Sequence, residues 1–261
     1  MTAAAPILDP ANLADPVKEA MVYLSDVSVS FDGFKALDIK RLCILRNELR
    51  VCIGPNGAGK TTMCDVISGK TRAATGKIYF DGVDITHKKD VEIARLGVGR
   101  KFQTPTVFDS LTVYENMELA LPGERSVFRN LLTKETPDQQ ESIMAILDRV
   151  KLTADLHTPA KYLSHGQRQW LEISMLMLSD PKLLLVDEPA AGLTDRETDL
   201  TAELLNELKG HHTIIVIEHD MDFVRRLASR VTVLNEGKVL AEGSLDQVQT
   251  NADVIEAYLG R

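Results

Sequence analysis

With 261 residues and 44% hydrophobic content, the chain can bury one large core or two small ones, which excludes fully disordered and fibrous readings. Its 30 Lys and Arg against 38 Asp and Glu give a formal net charge of −8, so a nucleic-acid backbone is not expected as its partner. Cys43, Cys52 and Cys64 are odd in number and share no CxxC spacing, so they are read as reduced core residues rather than a disulfide framework or a zinc knuckle.

Residues 1–20 hold three prolines and many alanines but lack the basic start and apolar stretch of an export signal. They are expected to form a loosely ordered tail, and the cytosol is the default compartment. Alternation predicts a strand over Met21 to Val29, a turn at Asp32-Gly33 and a second strand from Glu48 to Ile53 that runs into a glycine-rich loop. A helix should start near Lys60. Ile78-Tyr79-Phe80, Asp81-Gly82 and Val83-Asp84-Ile85 read as a hairpin, followed by a short helix and a strand leading to Gln103. Val113 to Leu121, Gln140 to Val150 and Gln167 to Leu178 then carry helical spacing with hardly any strand signal. Leu183 to Val186 and Thr213 to Ile217 are short, wholly apolar runs of the kind expected for buried parallel strands, separated by a helix from Asp195 to Leu208. A hairpin turning at Asn235-Glu236-Gly237 and two terminal helices complete the chain. No apolar run approaches the roughly 20 residues needed to cross a bilayer.

Chemistry concentrates first at Gly54-Pro55-Asn56-Gly57-Ala58-Gly59-Lys60-Thr61, which matches GxxxxGK[ST] between a strand and a helix. Gly54, Gly57 and Gly59 let successive backbone N–H groups curl around a β-phosphate, with Asn56, Ala58 and Thr62 completing the cradle at a helix N-terminus. Lys60 is placed to bridge β- and γ-phosphates, and the Thr61 hydroxyl to ligate Mg²⁺. The apolar run Leu183 to Val186 then delivers Asp187 and Glu188 at a strand end. Opposite pleat directions would turn Asp187 to the metal and Glu188 to an attacking water as general base. A solvated acidic turn is the bland alternative, outweighed by the company of the glycine loop.

Leu163-Ser164-His165-Gly166-Gln167, at the start of a helix, resembles the LSGGQ signature of ATP-binding cassette (ABC) ATPases, with His165 in place of the first glycine. The resemblance covers roughly Met21 to Arg261. It implies an α/β fold: a P-loop NTPase core with an antiparallel β subdomain and an inserted α-helical subdomain at about 104–178. It further implies that Gln103 is the Q-loop residue linking Mg²⁺ and the γ-phosphate to the insert, His219 the switch histidine on the γ-phosphate, and Phe31 the aromatic stacked on adenine. Ser164, Gly166 and Gln167 would complete the ATP site of a second ABC ATPase subunit, the same or a paralogous chain, packed head to tail. Two transmembrane permeases, docked near Thr104 to Tyr114, and indirectly a solute-binding protein are the further implied partners, on the inner face of the cell membrane. In Ala191-Gly192-Leu193-Thr194, similar to the D-loop, Thr194 stands where aspartate is usual.

Within the family the chain looks most like ATPases of branched-chain amino acid and urea-type importers. Val98 to Gln103, Asp187 to Leu193, Ile217 to Met221 and Glu256 to Gly260 carry that likeness. Gly99 to Thr106 and Gly192 to Arg196 favour the urea branch, hence urea or short-chain amides as solute. The alternatives are a branched-chain amino acid importer, a lipopolysaccharide-export ATPase and a soluble cassette ATPase acting on ribosomes or nucleic acid.

Overall fold

Two sheets with opposite habits share the chain. The computed structural model describes residues 13–101, 107–121, 136–227 and 229–259. The four-stranded sheet has the order β2-β1-β4-β5 and is antiparallel throughout, formed by β1 (Ala20–Phe31), β2 (Phe34–Leu45), β4 (Thr75–Phe80) and β5 (Val83–Asp84). Asp32 and Gly33, both at positive φ (48° and 84°), join β1 to β2 with Phe31 opposite Phe34. That is the turn geometry that follows the natural strand twist. The sequence reading left β2 unassigned, and the reason is a change of phase. Leu37 and Ile39 point inward at odd positions, whereas Leu42 and Ile44 do so at even ones, so no single alternation spans the strand. The segment expected to be tail also differs at its end: Pro16–Glu19 forms a short helix, α1, leading directly into β1.

The second sheet has the order β10-β9-β3-β8-β7-β6, made of β3 (Leu49–Ile53), β6 (Val98–Lys101), β7 (Leu183–Asp187), β8 (Thr213–Ile217), β9 (Arg230–Asn235) and β10 (Lys238–Ser244). All its pairings are parallel except that of β10 with β9. Every residue of β3, β7 and β8 is buried, which accounts for the unbroken apolar runs at 183–186 in β7 and 214–217 in β8. One face of this sheet, with Val51, Leu184, Val186, Ile214 and Val216, packs on the helical insert. The other face, with Cys52, Leu183, Leu185, Ile215 and Ile217, packs on the antiparallel sheet and the helix after β3.

That helix, α2 (Lys60–Ile67), and α3 (Asp90–Leu96) precede the insert. The insert holds α4 (Val113–Ala120), α5 (Pro137–Arg149) and α6 (His165–Leu178), with 3-10 turns at Thr153–Asp155 and Ala160–Tyr162. Thr112, Thr136 and Ser164 begin its helices, each in a reciprocal cap with Glu115, Gln139 or Gln167 three residues on. These caps place the starts of α5 and α6 earlier than apolar spacing alone suggests. Beyond the insert come α7 (Asp195–Leu208), α8 (Met221–Arg226), α9 (Leu245–Gln249) and α10 (Ala252–Leu259). The sequence reading passed over α8, whose six residues are too few to show a period. Among the described residues no helix is long and apolar enough to cross a membrane.

The three thiols are free and buried, as expected, and burial pushes Cys43 up to about 11 and Cys52 up to about 12. Arg50 lies inside the fold with no exposed surface. Its guanidinium donates to Glu48 Oε1 at 2.7 Å, Thr232 Oγ1 at 2.7 Å and the Cys43 carbonyl at 3.2 Å, and also pairs with Glu242. One side chain thereby ties β2, β3, β9 and β10, crossing between the two sheets. Arg50→Ala should lower unfolding free energy by about 3 kcal/mol in urea titrations, the lower end for a broken buried pair, because Glu48 and Glu242 keep an edge in water.

Candidate functional site

The order of the parallel sheet determines what meets at its carboxyl edge. β3, β8, β7 and β6 are neighbours, so the glycine loop after β3, the Glu218-His219 pair after β8 and the Asp187-Glu188 pair at the end of β7 emerge side by side, with β6 next to β7. Open α/β sheets bind ligands at such an edge. Gln103 itself lies outside the described residues.

The loop is held by the main chain on three sides. A side chain at Gly54 would bring its Cβ within 2.2 Å of the Leu234 carbonyl, and one at Gly59 within 2.7 Å of the Ala36 carbonyl. Gly57 has open space around it but stands at φ +80°, in the left-handed region where glycine carries no steric penalty. Ala58 accepts from Gly237 N at 3.0 Å, pinning the loop to the β9–β10 turn. Asn56, Gly57 and Thr61 are exposed and Thr62 half-buried, whereas Ala58 and Lys60 are buried. The Lys60 ammonium donates to the Gly54 carbonyl at 2.7 Å and the Pro55 carbonyl at 3.0 Å. Burial lowers its pKa, and the charges of Glu188 and Asp187 pull the other way. A cation is thus folded over the loop, close to two carboxylates.

Asp187 ends β7 at 7% exposure, and burial raises its carboxyl above the usual aspartate range against the pull of Arg100 and Lys101. Such a carboxylate is suited to a divalent cation, which would supply the charge that burial removes. Among the described residues no cluster of three His, Cys, Asp or Glu could hold a metal alone. Asp187 and the Thr61 hydroxyl offer hard oxygen donors, the set that binds Mg²⁺ together with substrate phosphates and water. The residues present therefore fit the ion.

Glu188 does not follow the strand pleat expected of it. The strand stops at Asp187, and Glu188 lies beyond it at φ +47°, a left-handed conformation that costs a non-glycine residue about 1–3 kcal/mol. Its direction is therefore set by this turn rather than by strand alternation. Its N–H donates to Ile217 O at 2.9 Å, and its Oε1 lies 3.6 Å from His219 Nδ1. The His219 side chain is 63% exposed and accessible to a ligand. Phe31, at the end of β1, is 50% exposed, with the still more exposed Phe34 opposite.

The bonds of Ser164, His165 and Gln167 run to other parts of the same chain. Ser164 caps α6, accepting from Gln167 N at 3.2 Å while its hydroxyl donates to Glu197 Oε1 at 3.3 Å. Gln167 Nε2 donates to Asp155 Oδ2 at 2.8 Å. Gly166 is buried, and a Cβ there would lie 2.4 Å from Glu197 Oε1. His165 Nε2 lies 3.2 Å from the Ala191 carbonyl and 2.8 Å from Gln169 Nε2. The histidine substitution thus fastens the start of α6 to the segment after Glu188. Thr194, in place of aspartate, caps α7: Glu197 Oε2 accepts from Thr194 N at 3.0 Å and from its hydroxyl at 2.9 Å. Sequence reasoning missed Glu197 and Glu218. The first was readable as the acidic end of a Thr194-x-x-Glu197 capping box. The second carried no signal beyond a charge after an apolar strand.

A family profile described as "ABC transporter" matches residues 37–191, and one described as "Branched-chain amino acid ATP-binding cassette transporter" matches residues 238–261. The chain is 37% identical over 241 residues to the probable branched-chain amino acid transport ATP-binding protein LivG of Archaeoglobus fulgidus, covering 90% of this chain and 93% of that one. It is 35% identical over 255 residues to the high-affinity branched-chain amino acid transport ATP-binding protein LivG of Escherichia coli K12, covering 94% and 99%. The crystal structure of a nucleotide-free ATP-binding cassette from an ABC transporter superposes with a TM-score of 0.80 at 30% identity, covering 93% of this chain and all of that one. The chain belongs to the ATP-binding cassette transporter family, in the branch of the branched-chain amino acid transport ATPases, and is an ATP-binding, ATP-hydrolysing subunit.

Proposed function

We propose that this subunit powers a membrane importer for a small polar solute, cycling between a closed pair of ATPase chains around two nucleotides and an open pair after hydrolysis. The observation that carries the reading is the 3.6 Å approach of His219 to Glu188, beside the glycine loop on one sheet edge. Lys60 exchanges the Gly54 and Pro55 carbonyls for β- and γ-phosphate oxygens, while the amides of residues 54–62 wrap the phosphates. Thr61, Asp187 and Gln103 would hold Mg²⁺, which would neutralise charge on the phosphates. Glu188 takes a proton from the attacking water, and His219 steadies the γ-phosphate and the Glu188 carboxylate. Phe31 stacks on the adenine.

One chain offers one loop and one signature, so Ser164, Gly166 and Gln167 serve the nucleotide of a second ATPase chain, the same or paralogous, packed head to tail. Residues 21–261 form this cassette, with the insert at about 104–178 facing two permeases at the inner face of the membrane. A solute-binding protein joins through them. The names of the relatives favour a branched-chain amino acid as the solute. The urea reading rests on Gly99 to Thr106 and Gly192 to Arg196 alone, and no relative described above adds to it. In this reading the permeases and the binding protein, not this subunit, recognise the solute, so transport decides the point: with its native permeases and binding protein in vesicles, ATP should drive uptake of labelled leucine and not of labelled urea. The reverse preference would restore the urea branch.

Glu188→Gln should lower ATP turnover by roughly 100-fold, the scale of a lost general base, with nucleotide binding by calorimetry retained, whereas Lys60→Ala should lose tight binding. Turnover near wild type in Glu188→Gln would remove it from the chemistry. Completion in trans has its own test. Mixing Ser164→Arg chains with Lys60→Ala chains should restore part of the activity that each lacks, since one of the two sites in a mixed pair unites the intact loop of the first chain with the intact signature of the second. A verified mixed dimer that stays inactive would refute it.

A further inference from the structure

Between the strand ends that bear Glu188 and His219 sits a carboxylate that the proposed reaction does not use. Glu218 is 1% exposed. Its Oε1 accepts from Ala190 N at 2.9 Å, and its Oε2 accepts from His219 N at 2.9 Å and Asp220 N at 3.3 Å. A single planar group thus receives main-chain N–H bonds from the segment after β7 on one oxygen and from the segment after β8 on the other. Burial pushes Glu218 above the usual glutamate range, while those three N–H groups and the nearby His219 pull it back.

What this clamp holds is not held by local preference. Glu188 stands at φ +47° immediately before Pro189. A residue before proline is steered to extended backbone, and a non-glycine residue in the left-handed region persists only where its surroundings enforce it. The Ala190 bond fixes the chain two residues beyond Glu188, and the Ile217 carbonyl fixes Glu188 N itself at 2.9 Å. On the other side, His219 leaves β8 with its N–H on the same carboxylate, and Asp220 caps α8 by accepting from Asp222 N and Phe223 N. The side-chain approach of 3.6 Å between Glu188 and His219 is therefore the sum of two main-chain placements that share one anchor.

We propose that Glu218 is a positioning residue for hydrolysis: its carboxylate sets the spacing of Glu188 and His219 by holding the backbone behind both, without touching the nucleotide. This rests on the roles given to Glu188 and His219 under Proposed function. A carboxylate suits the task because both oxygens accept. An amide of the same shape must turn its NH2 toward one of the two segments, donor against donor, and release it.

The test uses the assembled transporter with Glu218→Gln. Turnover should fall about ten- to a hundredfold, the scale of a catalytic group misplaced by about 1 Å, while the KM for ATP stays within about twofold, because the interaction lost is one felt only in the transition state. In single-turnover measurements on a His219→Ala background, the same substitution should cost far less than in wild type, since the two act through one geometry. Equal factors in both backgrounds would mark a merely structural role and overturn the proposal, as would wild-type turnover in Glu218→Gln alongside an impaired Glu188→Gln. Wild-type turnover in Glu188→Gln itself would instead remove the catalytic pair, and with it this role. If Glu218→Gln does not fold, Glu218→Ala, which admits water to the three N–H groups, is the second variant. A raised KM with unchanged turnover there would count against positioning.

Discussion

Cys52, Ile217 and Asp187 stand in register on three adjacent parallel strands, and the ladder continues past the strand ends as Glu218 N donates to Cys52 O at 3.2 Å and Glu188 N to Ile217 O at 2.9 Å. This alignment brings the glycine loop, Glu188 and His219 to the same level of the sheet. A slip of one residue in either pairing would turn the apolar faces of β7 or β8 the wrong way, against the insert on one side or the antiparallel sheet on the other. Both faces are filled by large aliphatic side chains, so it is the close packing of each side chain against its own layer that fixes the register, and the register fixes the chemistry.

Charge is distributed accordingly. Beneath the edge lie Lys60, Asp187, Glu218, Lys101 and Glu172, all nearly inaccessible to water. Burial lowers the pKa of Lys60 and Lys101 and raises that of Asp187 and Glu218. Neighbours offset part of that burial: Glu188 and Asp187 for Lys60, Glu172 for Lys101, and backbone N–H groups for Glu218. Such an arrangement responds strongly to an added polyanion and cation, because little water is available to screen them.

How much of this was legible depended on whether the signal was local. β7 and β8 could be read because strands buried on both faces leave continuous apolar runs, β3 from alternation into a glycine-rich loop, and the loop at 54–61 because phosphate geometry fixes its spacing. β2 escaped because its inward positions change phase at Lys40-Arg41. The turn at Glu188 could not be foreseen, since the following proline argues for extended backbone and the contrary conformation is imposed by Ile217 and by Glu218 through Ala190. The two departures from the family pattern also gained meaning only in three dimensions. Thr194 is a helix cap, and His165 reaches Ala191, a contact between segments far apart in sequence.

The hydroxyl of Ser164 has a single hydrogen, and in this structure it points at Glu197, whose carboxyl is held below the usual glutamate range first of all by the Thr194 N–H. Any phosphate oxygen that recruits that hydrogen must displace an anion already using it, and must then lie near that anion. In the proposed head-to-tail pair, the partner's nucleotide would therefore compete with the internal fastening of α7 for the Ser164 hydroxyl.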